Sequence, residues 1–295
     1  MNKILSTVIL TSCIILVACD DNEEKALSAE QSVAIEDQAT TEAYFNEAGD
    51  LSTKAFNTPT ASEIAGGRKS STIIIFVEGD TRFAGASVTL VTAETSTALN
   101  PKGNITIDFG DGQIDNDGNV RKGKILVAYE GLRFVPGSST VTTFDGYSIN
   151  DVHIEGTRTV TSTTFTTSPS FQVTFTVTDA NGKATFPDQS TITRNAMHTH
   201  TITFDSNAAS STWEVEGQAS GKTRANDDYV FLINRPLVFK VECALSGFIL
   251  PAEGEGLFTL NSLPISINYG DEGSACDNVV TVTLSGFTQE VTVND

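Results

Sequence analysis

A chain of 295 residues with 18 lysines and arginines against 37 aspartates and glutamates carries a formal net charge of −19. That balance argues against nucleic-acid or anionic-lipid binding through basic patches, because counterion release needs clustered Lys and Arg. It is compatible with solubility, cation binding or a basic partner. The 227 residues from Lys69 onward suffice for one large β domain or two small ones.

At the start of the chain, Lys3 precedes an apolar run, Ile4 to Val17, that closes on Leu16-Val17-Ala18-Cys19. This resembles a bacterial lipoprotein signal with its lipobox. The resemblance implies that residues 1–18 are a cleaved signal peptide and that Cys19 is the lipid anchor. A secretory peptide cleaved without lipidation is the plainer alternative. Acyl chains hold a protein to a membrane through buried methylenes at about 0.8 kcal/mol each, whereas the apolar run falls short of the roughly 20 residues a spanning helix needs. Asp20, Asp21, Asn22, Glu23 and Glu24 follow Cys19 and resemble the surface-export signal of Bacteroidetes lipoproteins. That likeness implies an outer-membrane lipoprotein on the cell surface rather than on the periplasmic face. A run of like charge also serves simply as an extended, solvated tether.

Residues 19–70 read as an acidic tether and linker. From Asp20 to Asp50 there are ten acids and one base, Lys25. Ala29, Val33, Ile35 and Ala39 recur only loosely at helical spacing, so the segment is a weak helix or a disordered stalk. Ser28 with Gln31 suits a helix start of the capping-box type. Residues 51–70, with Thr58-Pro59-Thr60 and Gly66-Gly67, read as linker.

From residue 71 to 295 the period changes to two, which defines a β-rich ectodomain of one module or two. Phe171, Val173, Phe175 and Val177 alternate with Gln172, Thr174, Thr176 and Thr178, and Val280, Val282 and Leu284 repeat the pattern. Further strands are predicted at 72–77, 86–92, 104–109, 123–130, 139–149, 153–164, 200–205, 212–219, 229–234, 237–243, 245–250, 263–269 and 287–293. Turns are predicted at Asp117-Gly118, Asp145-Gly146 and Asp179 to Gly182. No amphipathic helix is evident after residue 70. The pattern predicts an all-β fold of antiparallel sheets, as a sandwich or a long twisted sheet.

Cys13 leaves with the signal and Cys19 is taken by lipid, so Cys243 and Cys276 are left to form one disulfide in an oxidising envelope. Its closed loop of about 33 residues stabilises by roughly 3–4 kcal/mol on the chain-entropy account. A second regularity is an internal echo: Ile105 to Gly112 and Ile265 to Gly273 share an Ile-x-Ile-(Asp/Asn)-aromatic-Gly-Asp core. Duplicated modules or a shared strand-to-turn alphabet would each produce it.

Several ordered blocks carry a family resemblance: Ile105 to Gly112, Arg121 to Ile125, Tyr129-Glu130-Gly131, Ile154 to Arg158, Cys243, and Tyr269-Gly270-Asp271 with Cys276-Asp277-Asn278. Over residues 86–295 the chain resembles a group of uncharacterised Bacteroidetes lipoproteins. The resemblance implies an all-β envelope protein and carries no catalytic residues with it.

Candidate site chemistry is sparse. Asp115, Asp117 and Asn119 place oxygen side chains at alternate positions around Gly118, with Asp108 and Asp111 upstream, as calcium loops do. Gln113 and Lys124 break the helix-loop-helix pattern, and a hydrated hairpin turn accounts for the same residues. The calcium candidate is therefore Asp111, Asp115, Asp117 and Asn119, with no cofactor required. His198 and His200 share a strand face that zinc could use, yet no third ligand is evident, and an exposed cross-strand pair is the simpler reading. Trp213 alternates with Val215 and is expected in the core. Arg158 and Arg194 are expected to pair with neighbouring acids.

No nucleophile elbow, zinc-protease helix, phosphate loop or dinucleotide fingerprint occurs. The sequence points to a non-enzymatic, lipid-anchored β domain that binds an envelope or extracellular protein or glycan, or builds structure. Assembly by strand addition, as in the lipoprotein pilins of Bacteroidetes, with Gln289 to Asn294 as donor strand, is the alternative. Glycan capture is a lower one.

Overall fold

The computed structural model describes residues 27–58, 72–248 and 250–292. Cys19 and the acidic cluster Asp20 to Glu24 lie outside the described residues, as does the segment 59–71. Helix α1 (Ala29–Asn57) comes first. Fifteen strands follow: β1 (Thr72–Ile75), β2 (Ser87–Thr92), β3 (Lys102–Asp108), β4 (Gln113–Ile114), β5 (Val120–Glu130), β6 (Ser139–Ile149), β7 (Val152–Thr166), β8 (Phe171–Thr185), β9 (Thr191–Phe204), β10 (Thr212–Lys222), β11 (Asp228–Lys240), β12 (Glu253–Leu260), β13 (Leu263–Gly270), β14 (Val279–Leu284) and β15 (Phe287–Thr292). A five-residue helix, α2 (Val241–Leu245), separates β11 from β12.

All the strands form one sheet, and nearly every strand pairs antiparallel with its successor in sequence. Two-residue β4 pairs only with β5, and β3 passes directly to β5. The all-β reading therefore holds, with a single long sheet in place of a sandwich. Period-two burial is regular where the sequence alternates: Ile105 and Ile107 of β3, Val173 and Val177 of β8, and Ile265 and Ile267 of β13 all face inward.

The inner face is filled by α1. Fourteen strands in line would span about 67 Å at about 4.8 Å each, whereas a helix of 29 residues is about 44 Å long. Both ends of the sheet nevertheless reach the helix-bearing core. Phe45, Ala48, Leu51 and Ala55 pack with residues from β1 to β8, while Leu27 and Ala34 pack with Tyr229, Phe258, Ile265 and Val282. The sheet must therefore curve around the helix.

Bulges supply that curvature. Register shifts interrupt β5 at 122–124, β6 at 143–148, β7 at 155–157 and β8 at 179–182. Extra residues of this kind bend a strand and increase its twist. Glycines permit the close approach: Gly156 sits at φ +124°, and a Cβ there would fall 2.8 Å from Gly182 Cα. The expected turns at Asp145-Gly146 and Asp179 to Gly182 are thus corrected; they are bulges inside continuous strands, built from the same left-handed-tolerant residues.

Three further expectations change. Residues 29–57, read as a weak helix or disordered stalk to residue 50 and as linker beyond it, are one packed helix, capped as expected by Ser28 and Gln31 (Gln31 N to Ser28 Oγ 3.3 Å, Ser28 N to Gln31 Oε1 2.7 Å). The predicted pair 229–234 and 237–243 is one strand, β11, running through Pro236 into α2. Strand β12 was not predicted, because Gly254 and Gly256 stand at inward positions where an apolar residue would have signalled it. At Gly256 a Cβ would lie 2.3 Å from the Phe231 ring, so the missing side chain makes room for that ring.

The buried stripe of α1 is half polar: Asp37, Gln38, Thr41, Glu47 and Ser52 are buried beside Ala34, Phe45, Ala48, Leu51 and Ala55. The sheet and its loops answer with a line of arginines. Arg224 binds Asp37 through Nε at 2.7 Å, Arg194 faces Glu42, Arg158 donates to Asn46 Oδ1 at 2.8 Å, Arg121 holds Glu47 and Arg82 holds Asp50. Asp179 of β8 sits between Arg158 (2.8 Å) and Arg194 (3.2 Å). Pairing for Arg158 and Arg194 was expected, and the helix adds a second partner for each. Buried ion pairs stabilise little after desolvation but specify register, and here the register is that of α1 along the sheet.

The disulfide between Cys243 in α2 and Cys276 in the β13–β14 connection is formed as expected. No helix among the described residues is long and apolar enough to cross a membrane, which leaves strand-based crossing unaddressed.

Candidate ligand-binding cavity

A cavity of about 190 Å³ lies between the last two turns of α1 and the inner face of the central strands. Five segments bring aromatic rings to it. Phe56 of α1 meets Tyr129 of β5 with ring centroids 4.9 Å apart, Phe134 of the β5–β6 loop meets Phe175 of β8 at 5.9 Å, and Trp213 of β10 closes another side. Phe134 is held at φ +67°. For a bulky side chain that left-handed conformation is strained, at a cost of about 1–3 kcal/mol.

Three of the lining residues also carry buried polar atoms without partners. Among the described residues, Tyr129 Oη, Ser162 Oγ and His200 Nε2 are buried and make no hydrogen bond, and all three residues line the cavity. Native proteins rarely leave such atoms unsatisfied, since each costs about 1–3 kcal/mol. His200 is the most informative. Its Nδ1 accepts a hydrogen bond from Trp213 Nε1 at 3.1 Å, and an indole nitrogen is only ever a donor. Nδ1 is therefore bare, and the neutral ring carries its proton on Nε2. Burial, aided by the charge of Arg158 and by His198, pushes the His200 pKa down to about 3. His200 thus holds a buried N–H donor without an acceptor.

The β5–β6 loop adds Gly131, Arg133, Phe134 and Ser138 to the lining. Arg133 is exposed there, its guanidinium 4.4 Å from the Phe134 ring centroid. Among the described residues it is the one arginine that makes no salt bridge. Glu130 also lines the cavity, but its carboxylate is committed to Lys102 at 2.5 Å.

The residues singled out in the sequence are dispersed. Asp111 and Asp117 are exposed. Asp115 is buried and engaged: it pairs with Arg121, and its Oδ1 accepts the amides of Asp117 (2.9 Å) and Asn119 (2.8 Å). Burial raises the Asp115 pKa, but Arg121 and the Asn119 amide outweigh it and hold the carboxyl below its usual range. Asn119 Oδ1 accepts from Asn150 at 2.9 Å. The segment is a turn that seats Arg121 under Glu47, and no group of three or more His, Cys, Asp or Glu side chains converges among the described residues.

His198 and His200, expected as an exposed pair, are both buried on the inner face of β9, with rings 6.0 Å apart. The correction has a simple cause: the even-numbered residues Ile192 to His200 all point inward, so the face carrying Arg194 is the core face. Trp213 is half-buried in the cavity wall. Sequence reasoning noticed Trp213 and the His-x-His spacing. It missed Ser162, Arg133, Phe134 and Phe56, which come from separate elements and share no motif.

No protein-family model, curated protein or solved structure matches the chain.

Proposed function

We propose that this is a non-enzymatic lipoprotein of the outer membrane, anchored through Cys19 and exposed at the cell surface, whose β domain binds a small ligand in the cavity beneath α1. The observation that carries the binding role is the aromatic-lined cavity of about 190 Å³ between α1 and the central strands. The lipobox at Leu16 to Cys19 and the acidic cluster behind it support the location, in keeping with the likeness to Bacteroidetes lipoproteins.

A binding role suits these groups better than catalysis. Ser162 Oγ and His200 Nε2 share the cavity but are not hydrogen-bonded to each other. His200 could not act as base in any case, because its Nε2 already holds the proton and its pKa is depressed.

Strand addition is the second reading, favoured by the open ends of the sheet. Among the described residues β1 and β15 each pair with a single strand, and Ile74 and Phe76 beside the β1 edge are 61 % and 80 % exposed. Residues Gln289 to Thr292, offered as donor, pair with β14 of their own chain.

The test is protease shaving of intact against lysed cells, for wild type and Cys19→Ser, with unheated denaturing gels of the same samples. The expected outcome is rapid cleavage on intact cells, release of Cys19→Ser from the membrane fraction, and a single band. Protection until lysis would sink the surface placement, and a ladder of heavy multimers would favour strand addition.

A further inference from the structure

We propose that two copies of this chain join edge to edge through β1, pairing antiparallel about a two-fold axis at Ile74, so that their sheets run on as one. The inference rests on the strand-addition reading above and names its edge and its partner; it is independent of the cavity.

An open edge calls for a strand. Among the described residues β1 pairs with β2 alone, from Thr72↔Val91 to Ile75↔Val88, so the backbone N–H and C=O groups along its other side point away from the sheet. Such edges are usually guarded by a lysine, a proline or a bulge. The run Thr72-Ile73-Ile74-Ile75-Phe76-Val77 has none of these and no charged residue, in a chain with 37 acids among 295 residues.

Charge selects the partner. Between two copies the open edges β1 and β15 can meet in three ways. In β15, Val291 and Gln289 stand opposite the buried Val280 and Val282, which puts Glu290 on the outer face, where it is exposed. In β1, Ile73 and Ile75 stand opposite the buried Leu90 and Val88, which puts Thr72, Ile74 and then Phe76 on the outer face. Pairing β15 with β15 crowds two Glu290 carboxylates into one short strip. Pairing β15 with β1 strips water from Glu290 beside isoleucine and phenylalanine, where β1 offers no cation. Only β1 on β1 meets apolar with apolar.

The pairing is self-complementary. An axis normal to the sheet keeps outer face with outer face, sets Ile74 against Ile74 of the second copy, Thr72 against its Phe76 and Ile73 against its Ile75. Exposed Ile74, Phe76 and Val91 then form one apolar strip with their counterparts. A contact of this two-fold kind uses both β1 edges and closes at two copies. It involves far fewer residues than the about 20–30 a side of a standard interface, so the dimer dissociates on dilution and does not survive denaturing gels.

Cysteine placement reads the axis directly. Opposed residues of an antiparallel pair have Cα atoms about 4.5–5.5 Å apart, within the about 4.4–6.8 Å that a disulfide spans. Phe76 instead lies about 14 Å along the strands from its counterpart. The experiment oxidises the detergent-purified full chain with copper phenanthroline and runs non-reducing gels of wild type, Ile74→Cys, Phe76→Cys and an equal mixture of Thr72→Cys with Phe76→Cys. Cys243 and Cys276 are already bonded to each other. Sedimentation of wild type and Ile74→Lys over a range of concentrations accompanies it. The expected result is a linked dimer for Ile74→Cys and for the mixture, and none for wild type or Phe76→Cys alone. Wild type should pass from monomer to dimer as concentration rises, and Ile74→Lys should weaken that step about tenfold or more. Its urea midpoint should not move, because residue 74 is 61 % exposed. Equal linking of Ile74→Cys and Phe76→Cys overturns the two-fold register. Larger oligomers that persist in Ile74→Lys overturn the β1 assignment and leave strand addition to the other edge. A monomer at every concentration, with no linking, overturns this pairing and strand addition between copies together.

Discussion

Two buried histidines make the inner face sensitive to pH, and one buried aspartate ties its arginines together. Burial is the main reason that the pKa values of His198 and His200 are lowered, that of His200 to about 3. In the unfolded chain both return to about 6.5. Between those limits the unfolded state binds more protons than the folded state, so stability is full above about pH 6.5 and falls as pH drops toward 3. The slope reaches at most about 1.4 kcal/mol per pH unit for each histidine. Urea unfolding at pH 8, 6 and 5 should show this loss, and His200→Gln should flatten it. The difference between the two proteins isolates His200 from Glu47, whose pKa burial raises and whose linkage has the opposite sign. An identical pH profile in the variant would mean that His200 is charged or hydrated in the folded protein. Asp179 joins Arg158 and Arg194 at 2.8 and 3.2 Å. Asp179→Asn keeps the shape and removes the charge, and should cost about 3–5 kcal/mol because it leaves cations buried with incomplete compensation. A loss under 1 kcal/mol by chemical denaturation would show that water reaches the cluster.

Helix α1 is the element on which the curved sheet closes. Phe45 is fully buried and meets Phe144 edge-on at 5.9 Å; its ring also reaches the bulge in β8, where a Cβ on Gly182 would lie 2.8 Å from Phe45 Cζ. Phe45→Ala should cost about 3–5 kcal/mol, as large core truncations do. A variant within about 1 kcal/mol of wild type in urea midpoint would mean that α1 is dispensable to the fold. The same helix explains why the sequence was only partly legible. The strands were readable where Val, Ile and Phe alternate with Thr, since a half-buried strand needs nothing else. Helix α1 was legible only as a weak candidate, because its buried stripe mixes Asp37, Gln38, Thr41, Glu47 and Ser52 with Ala34, Phe45, Ala48, Leu51 and Ala55, and the acids that look solvated meet arginines 32 to 187 residues away. Bulges and turns draw on the same Gly, Asp and Asn, so Asp145-Gly146 and Asp179 to Gly182 could not be told from chain reversals without knowing how far the strands continue.

At the scale of the molecule, a meander of neighbouring strands makes most contacts local along the path, and the helix ties distant strands together. The echo between Ile105 to Gly112 and Ile265 to Gly273 reappears as a shared local device: Asp108 and Asn268 each accept the amide two residues on, at 2.8 Å. In both copies the isoleucine pair faces inward, toward opposite ends of α1. The cavity was the least legible feature, because it exists only where a helix end, one loop and six strands converge, and each strand contributes one or two residues.

Because α1 belongs to the core, the anchoring proposed at Cys19 has a consequence for reach. Leu27, already seated against the Tyr229 and Phe258 end of the core, is eight residues beyond Cys19, a separation of at most about 28 Å when fully extended. A fifty-residue stalk would let the domain roam far from the lipid. On a leash this short a protein anchored there would lie close over the bilayer, with the late strands nearest the membrane, and what it meets would have to come to that surface or already live there.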